Sequence, residues 1–185
     1  MFRAFWRAVG EDGAMTNSKV LPADESRTAM THRGDRVRVL GAGTPRLVVF
    51  VPAAFTPVCA GEVGELAALA SRAEVLGVRI LVVSCDAAAT LAAWLRDADP
   101  TGGVTGVSDH WPHGELARLC DAFDEDAGVA LRRTWAIRAD GTRKLVASSA
   151  PGLPRDAAEH ARGIEWAAGT PTESTDVSDL RVETR

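Results

Sequence analysis

Leu47-Val48-Val49-Phe50-Val51-Pro52-Ala53-Ala54-Phe55-Thr56-Pro57-Val58-Cys59-Ala60-Gly61-Glu62 decides the fold. The first five residues form an uninterrupted apolar run, the pattern of a strand buried on both faces of a parallel sheet. A turn carrying two prolines follows, and apolar positions at Val63, Leu66, Leu69, Ala70 and Ala73 then set the period of a helix. Cys59 opens that helix, at its positive end and beyond the C-terminal edge of the strand, where α/β proteins place their sites. Unpaired N–H groups there favour thiolate over thiol. The helix alone is not enough. Bringing a free thiol from roughly 8.5 to about 6 takes about 3.4 kcal/mol in favour of the anion, and a helix end supplies about 0.3–1 kcal/mol, about 2 in good cases. A fixed cation has to come from elsewhere in the chain.

Composition narrows the class. With 185 residues, 46% hydrophobic and 25% charged, the chain suits one globular domain with loose ends. Its net charge is −4 and no basic block is present, which argues against a nucleic-acid surface or a polybasic membrane anchor. A soluble cytoplasmic protein is expected. Three cysteines, Cys59, Cys85 and Cys120, are too few and too irregular for a secreted disulfide framework. No C-x-x-C supports a dithiol or a structural zinc. An isolated reactive thiol in a reducing compartment remains.

Working outward, residues 1–34 read as an N-terminal extension in which Phe2, Phe5 and Trp6 lie among arginines, too short for a membrane span. Met15 and Met30 leave room for a later start. Alternation predicts a strand over 34–40, then the central strand over 46–51 and a parallel neighbour over 78–84. Asp86 is expected to cap a helix with the face Leu91, Trp94 and Leu95, ending near Pro100. Residues 101–107 lead into a short strand, and 113–123 show helical spacing at Leu116, Leu119, Cys120 and Phe123. A hairpin is expected from 129–137 and 142–146 around Ala139-Asp140-Gly141, then a helix over 156–168 with the face Ala157, Ala161, Ile164 and Trp166. From 169 to 185 Thr, Ser, Asp and Glu without apolar period read as a disordered tail. The domain is expected over 35–168: an α/β, thioredoxin-like fold, a mixed central sheet flanked by helices.

Pro52, Thr56 and Cys59 form P-x-x-x-T-x-x-C, which resembles the active-site signature of the peroxiredoxins. Pro52 borders a pocket without offering a competing N–H, Thr56 brings a hydroxyl to a peroxide, and Cys59 is the nucleophile. The resemblance implies that Phe55 and Val58 lie beside the substrate. The segment Leu131-Arg132-Arg133-Thr134-Trp135 is similar to the one that aims an arginine at the thiolate, and the match is Arg132. An arginine offers a permanent charge and a fork of donors. Strand alternation would send Arg133 the other way. Ser108-Asp109-His110-Trp111-Pro112-His113-Gly114 and the acidic run after Phe123 resemble the AhpE-type one-cysteine branch of actinobacteria, as does Cys59-Ala60-Gly61-Glu62. His110 and His113 have no third ligand at metal spacing.

The resemblance implies a thiol-dependent peroxidase that passes through a sulfenic acid at Cys59 and uses neither metal nor cofactor. It also implies an external thiol reductant, such as mycothiol or a redoxin, and a homodimer. Cys85 is the candidate resolving thiol; Cys120, on an apolar face, reads as a small hydrophobe. Three departures point to an alternative: the family's A-P-x-F opening is not visible in 1–34, Trp135 stands where Phe is usual, and Arg138 where Asp is common. That alternative is a peroxiredoxin-like scaffold recruited to a biosynthetic or binding role.

Overall fold

The structure, a computed structural model, describes residues 26–169. Expectations for 1–25 and 170–185 fall outside the described residues. The first described element corrects the expected domain boundary. Arg27–Thr31 (β1) pairs antiparallel with Arg36–Leu40 (β2), so residues assigned to an extension belong to the sheet. Its sequence, RTAMT, hid it: Ala29 and Thr31 face inward while Met30 is 41% exposed, too weak an alternation to read.

Arg46–Phe50 (β3), Arg79–Ser84 (β4) and Thr105–Ser108 (β5) run parallel, and Arg133–Ile137 (β8) and Arg143–Ser148 (β9) add an antiparallel hairpin. The sheet order is β2-β1-β5-β4-β3-β8-β9, with β1 antiparallel to β5. All five residues of β3 are buried, as its apolar run requires. Alternation splits them between two cores. Leu47, Val49 and Val51 meet Pro57–Ala68 (α1), Ala88–Ala98 (α3) and Ala157–Ala168 (α5) through Val63, Leu66, Leu91, Trp94 and Ile164. Val48 and Phe50 meet Leu116, Ala117, Cys120, Trp135 and Ile137 on the other face. Ala70–Val75 (α2) continues α1.

Several expected elements come out shorter or differently held. The helix expected over 113–123 is Glu115–Leu119 (α4). Gly114 before it has φ 68°, and the Asp109 carboxylate takes the N–H groups of Leu116 and Ala117, both at 2.9 Å. Phe123–Asp124 (β6) then pairs with Val129–Ala130 (β7), so the long strand expected over 129–137 is two strands with Leu131 and Arg132 between them. Asp86 does not cap α3, whose N-cap is Ala87. Its carboxylate accepts instead from the Ala54 N–H and the Ser84 hydroxyl, both at 2.8 Å, tying the turn after β3 to the end of β4. The buried face of α5 is His160, Gly163, Ile164 and Ala167, a phase away from the expected one, because a histidine was not counted among its inward positions.

Two of the departures have partners. Trp135 donates its indole N–H to Cys120 O at 3.1 Å, and Arg138 Nε donates to Trp166 O at 3.0 Å, at the C-terminal end of α5.

Candidate active site

Thr56 is the N-cap of α1 and Pro57 its first residue, where a missing N–H costs nothing. The helical ladder begins with Ala60 N–H to Thr56 O at 3.0 Å, which leaves the N–H groups of Val58 and Cys59 ahead of it. Cys59, Glu62, Val63 and Leu66 share the inward face of α1. Cys59 and a carboxylate thus stand one turn apart, both turned toward the sheet. Cys59 is fully covered, whereas Pro52, Thr56 and Val58 are half-buried and Phe55 is 60% exposed. Phe55 has φ 62°, a left-handed conformation that costs an aromatic residue and orients the turn onto the helix. The Thr56 hydroxyl donates to Ala53 O at 3.1 Å, so its lone pairs remain available to accept a proton donor.

Arg132 Nη2 donates to Cys59 Sγ at 3.2 Å, and Arg132 Nη1 donates to Glu62 Oε2. The two arginines were expected on opposite faces of one strand; in the structure a bend before β8 separates them. Arg132 precedes β8 rather than lying within it, and its carbonyl accepts from Ser149 N–H at 3.2 Å. Arg133, within β8, is paired with Ser148 and half-buried.

The sequence reading missed what holds Arg132. Glu62 is 1% exposed, and Arg155, 3% exposed, clasps it from the opposite side. Arg155 N and Nε donate to Oε1 at 2.9 and 2.8 Å, and Nη2 donates to Oε2 at 3.1 Å. Its remaining Nη1 donates to Phe50 O at 2.9 Å and Thr134 Oγ1 at 3.1 Å. Burial raises the Glu62 carboxyl, but the hydrogen bonds and charge of Arg155, with Arg132 behind them, outweigh it and hold the group below its usual range. Two guanidinium groups and one carboxylate sum to one positive charge; a thiolate at Cys59 brings the buried set to zero. A glutamate on an otherwise apolar helical stripe, three residues after the cysteine, was the available signal for Glu62. Arg155 lay outside every expected element.

The other thiols differ. Cys85 is buried and pushed up to about 11 by burial, with Asp109 and Asp86 adding to it. It follows β4 at the sheet edge where Cys59 lies, and the backbone of Ala130, a residue of the second core, acts on its thiol. Cys120, fully covered, lies among the residues of that same second core. His110 Nδ1 lies 3.3 Å from Cys85 O, His113 Nε2 lies 2.8 Å from Gly128 O, and the two rings stand 6.5 Å apart.

A covered thiol at a helix opening, backed by an arginine that a buried carboxylate holds, defines a class of thiol-based enzymes, and similarity to known proteins agrees. Residues 28–145 match the AhpC/TSA family, and the chain belongs to that family, the peroxiredoxins. Alkyl hydroperoxide reductase E of Mycobacterium tuberculosis is 32% identical over 133 residues, 72% of this chain and 82% of that protein. Alkyl hydroperoxide reductase C of Escherichia coli K12 is 33% identical over 118 residues, 64% of this chain and 63% of that protein. Among solved structures, Enterococcus faecalis AhpC superposes with a TM-score of 0.65 at 24% identity, covering 77% of this chain and 87% of its own. Peroxidoxin BcpB of Mycobacterium tuberculosis gives 0.64 at 18%, covering 80% and 94%. These two neighbours establish the thioredoxin-like fold of a mixed sheet with flanking helices. Family membership makes the chain a thiol-dependent peroxidase, an oxidoreductase. The recruited-scaffold alternative draws no support from these relatives.

Proposed function

We propose that Cys59 is the peroxidatic thiol, with Arg132, Thr56 and Pro52 completing the catalytic set and Phe55 and Val58 bordering the substrate. The Arg132 Nη2 contact with the sulfur at 3.2 Å carries this reading. The peroxide reaches Cys59 past the Pro52–Thr56 turn and donates its O–H to the Thr56 oxygen, whose own proton is committed to Ala53. The sulfur lone pair forms a bond to the distal oxygen as the O–O bond breaks. The leaving oxygen takes the bonding pair, then a proton, and departs as alcohol or water; Cys59 is left as sulfenic acid. Arg132 and the free N–H groups of Val58 and Cys59 stabilise charge on both oxygens. An external thiol attacks the sulfenic sulfur, releasing water and leaving a mixed disulfide that a second thiol reduces.

The likeness to alkyl hydroperoxide reductase E supports a one-cysteine cycle with mycothiol or a redoxin as reductant. The placement of Cys85 and Cys120 on the far face supports the same cycle over a Cys59–Cys85 disulfide. Exposed Phe55, Trp111 and Leu153 supply apolar surface for a homodimer. The chain's charge, and the lack of any helix long and apolar enough to cross a membrane among the described residues, support a cytoplasmic setting.

Brief exposure to hydrogen peroxide with a sulfenate trap, followed by peptide mass spectrometry, is expected to label Cys59 before Cys85 and Cys120. Equal labelling of all three would overturn the reading. Non-reducing peptide maps are expected to lack a Cys59–Cys85 bridge.

A further inference from the structure

Behind Arg155 the buried network continues to a residue far from any peroxide. Thr134 Oγ1 lies 3.1 Å from His160 Nε2. Both residues are completely covered, one on β8 and the other on the inward face of α5. Gly163 permits the approach: a Cβ there would stand 2.9 Å from Leu47 Cδ1 and from Val146 Cγ2, so a larger residue would have to displace those side chains.

The donors decide how the protons lie. Arg155 Nη1 can only donate, so the Thr134 oxygen accepts from it at 3.1 Å. The hydroxyl proton then needs an acceptor, and among the described residues His160 Nε2 is the one within reach. His160 is therefore the neutral tautomer with its proton on Nδ1, an atom that finds no partner among the described residues. Keeping a buried N–H orphaned costs free energy, and an apolar side chain would avoid it.

We propose that His160 is a positioning residue for the Cys59 site: by accepting from Thr134 it turns that hydroxyl's lone pairs onto Arg155, which fixes the fork on Glu62 and, through Glu62, sets Arg132 against the sulfur. The inference rests on Cys59 being the reacting thiol. The charged groups around the imidazole are Arg155 ahead of α5, Asp156 at its N-cap and Glu62 from α1; β8 contributes only Thr134. Burial, with Arg155 acting the same way against Glu62 and Asp156, brings His160 down to about 4, so the ring stays an acceptor at neutral pH. A protonated ring would lose the acceptor and place a second cation beside Arg155.

The test uses the full chain and follows Cys59 by peptide mass spectrometry from pH 5 to 9, with hydrogen peroxide and, separately, with iodoacetamide. His160→Leu is expected to slow both reactions at pH 7 about tenfold and move both profiles to higher pH. His160→Gln, which keeps an acceptor at the same reach, is expected to recover to within about threefold of the native chain. Thr134→Val, nearly the same shape as threonine, is expected to match His160→Leu, and the double variant to be no slower than either single one. If His160→Leu or Thr134→Val lowers the melting temperature but leaves both profiles where they were, His160 is a core residue only and the proposal fails. If the native chain reacts with iodoacetamide but not with peroxide, the peroxidase reading fails, while a shifted alkylation profile still upholds the positioning role.

Discussion

Two cysteines in this molecule each touch an arginine, and the proposed nucleophile is the one that stands at a helix opening. Cys59 Sγ lies 3.2 Å from Arg132, and Cys120 Sγ lies 3.5 Å from Arg143. Both sulfurs are fully covered. The first stands in the opening turn of α1, ahead of free N–H groups; the second is the C-cap of α4, where carbonyls accumulate. Arg132 is held by a carboxylate that another arginine holds in turn. Arg143 donates to Leu119 O at 2.9 Å and lies against the Trp135 ring, its centre 4.9 Å away, and no carboxylate among the described residues pairs with it. Burial pushes Cys120 up to about 12, and Arg143 offsets only part of it. A thiol and a guanidinium in contact do not make a nucleophile: helix polarity and a braced cation do.

That difference can be broken at its brace. Glu62→Gln leaves Arg132 and Arg155 facing a neutral amide in the interior and is expected to cost about 3–5 kcal/mol in chemical denaturation. It is also expected to slow peroxide consumption. Substitutions at Leu119 or Trp135 are expected to leave peroxide consumption unchanged, since their contacts run to Arg143 and Cys120 on the other face.

The acid limb of stability sharpens the contrast between the two faces. His160 is held near 4 in the folded chain against 6.5 ordinarily. On acidification the unfolded chain takes up the proton first. The native state therefore keeps this contribution fully above about 6.5 and loses it as pH falls toward about 4, a loss of about 3 kcal/mol. Glu62, held below its usual range, adds acid sensitivity only below about 4.3. Denaturation midpoints measured from pH 7 to 4 are expected to fall, and His160→Leu to flatten that fall.

Arg132→Met is expected to slow peroxide attack about ten- to a hundredfold, the worth of a charge-assisted contact of about 1.5–3 kcal/mol. Stopped-flow tryptophan fluorescence would measure it. Arg143→Met is expected to lower stability and leave the rate within about twofold, and Arg133→Met to change neither. If Arg133 proves the sensitive position, the bend before β8 is misassigned.

The smallest expected effect lies on the far face. Trp135→Phe removes the N–H that meets Cys120 O and is expected to cost about 1 kcal/mol without changing peroxide kinetics. A rate change there would mean that the two faces are coupled.

Local patterns made much of this molecule legible. Residues 47–51 declare a buried strand by composition, the spacing after Pro57 declares a helix, and between them Cys59 can only stand at a helix opening. Arg132 was reachable through the motif around Thr134, although the strand expected to carry it begins only at Arg133. What hydrophobic periodicity could not carry was the polar interior. Glu62 and Arg155 are 93 residues apart, and Thr134 and His160 are 26 apart. Each of these residues, read alone, is as easily a solvated side chain. Burial gives them meaning, because a charge or hydroxyl taken from water has to find its partner inside, and which partner it finds is set by how α1, α5 and β8 close on one another. The same holds for β1, whose short and weakly alternating sequence becomes a strand only because β2 and β5 offer it two edges. The strand, the helix and the thiol between them follow from local sequence; which cation that thiol meets, and what holds the cation still, follows from how distant segments pack.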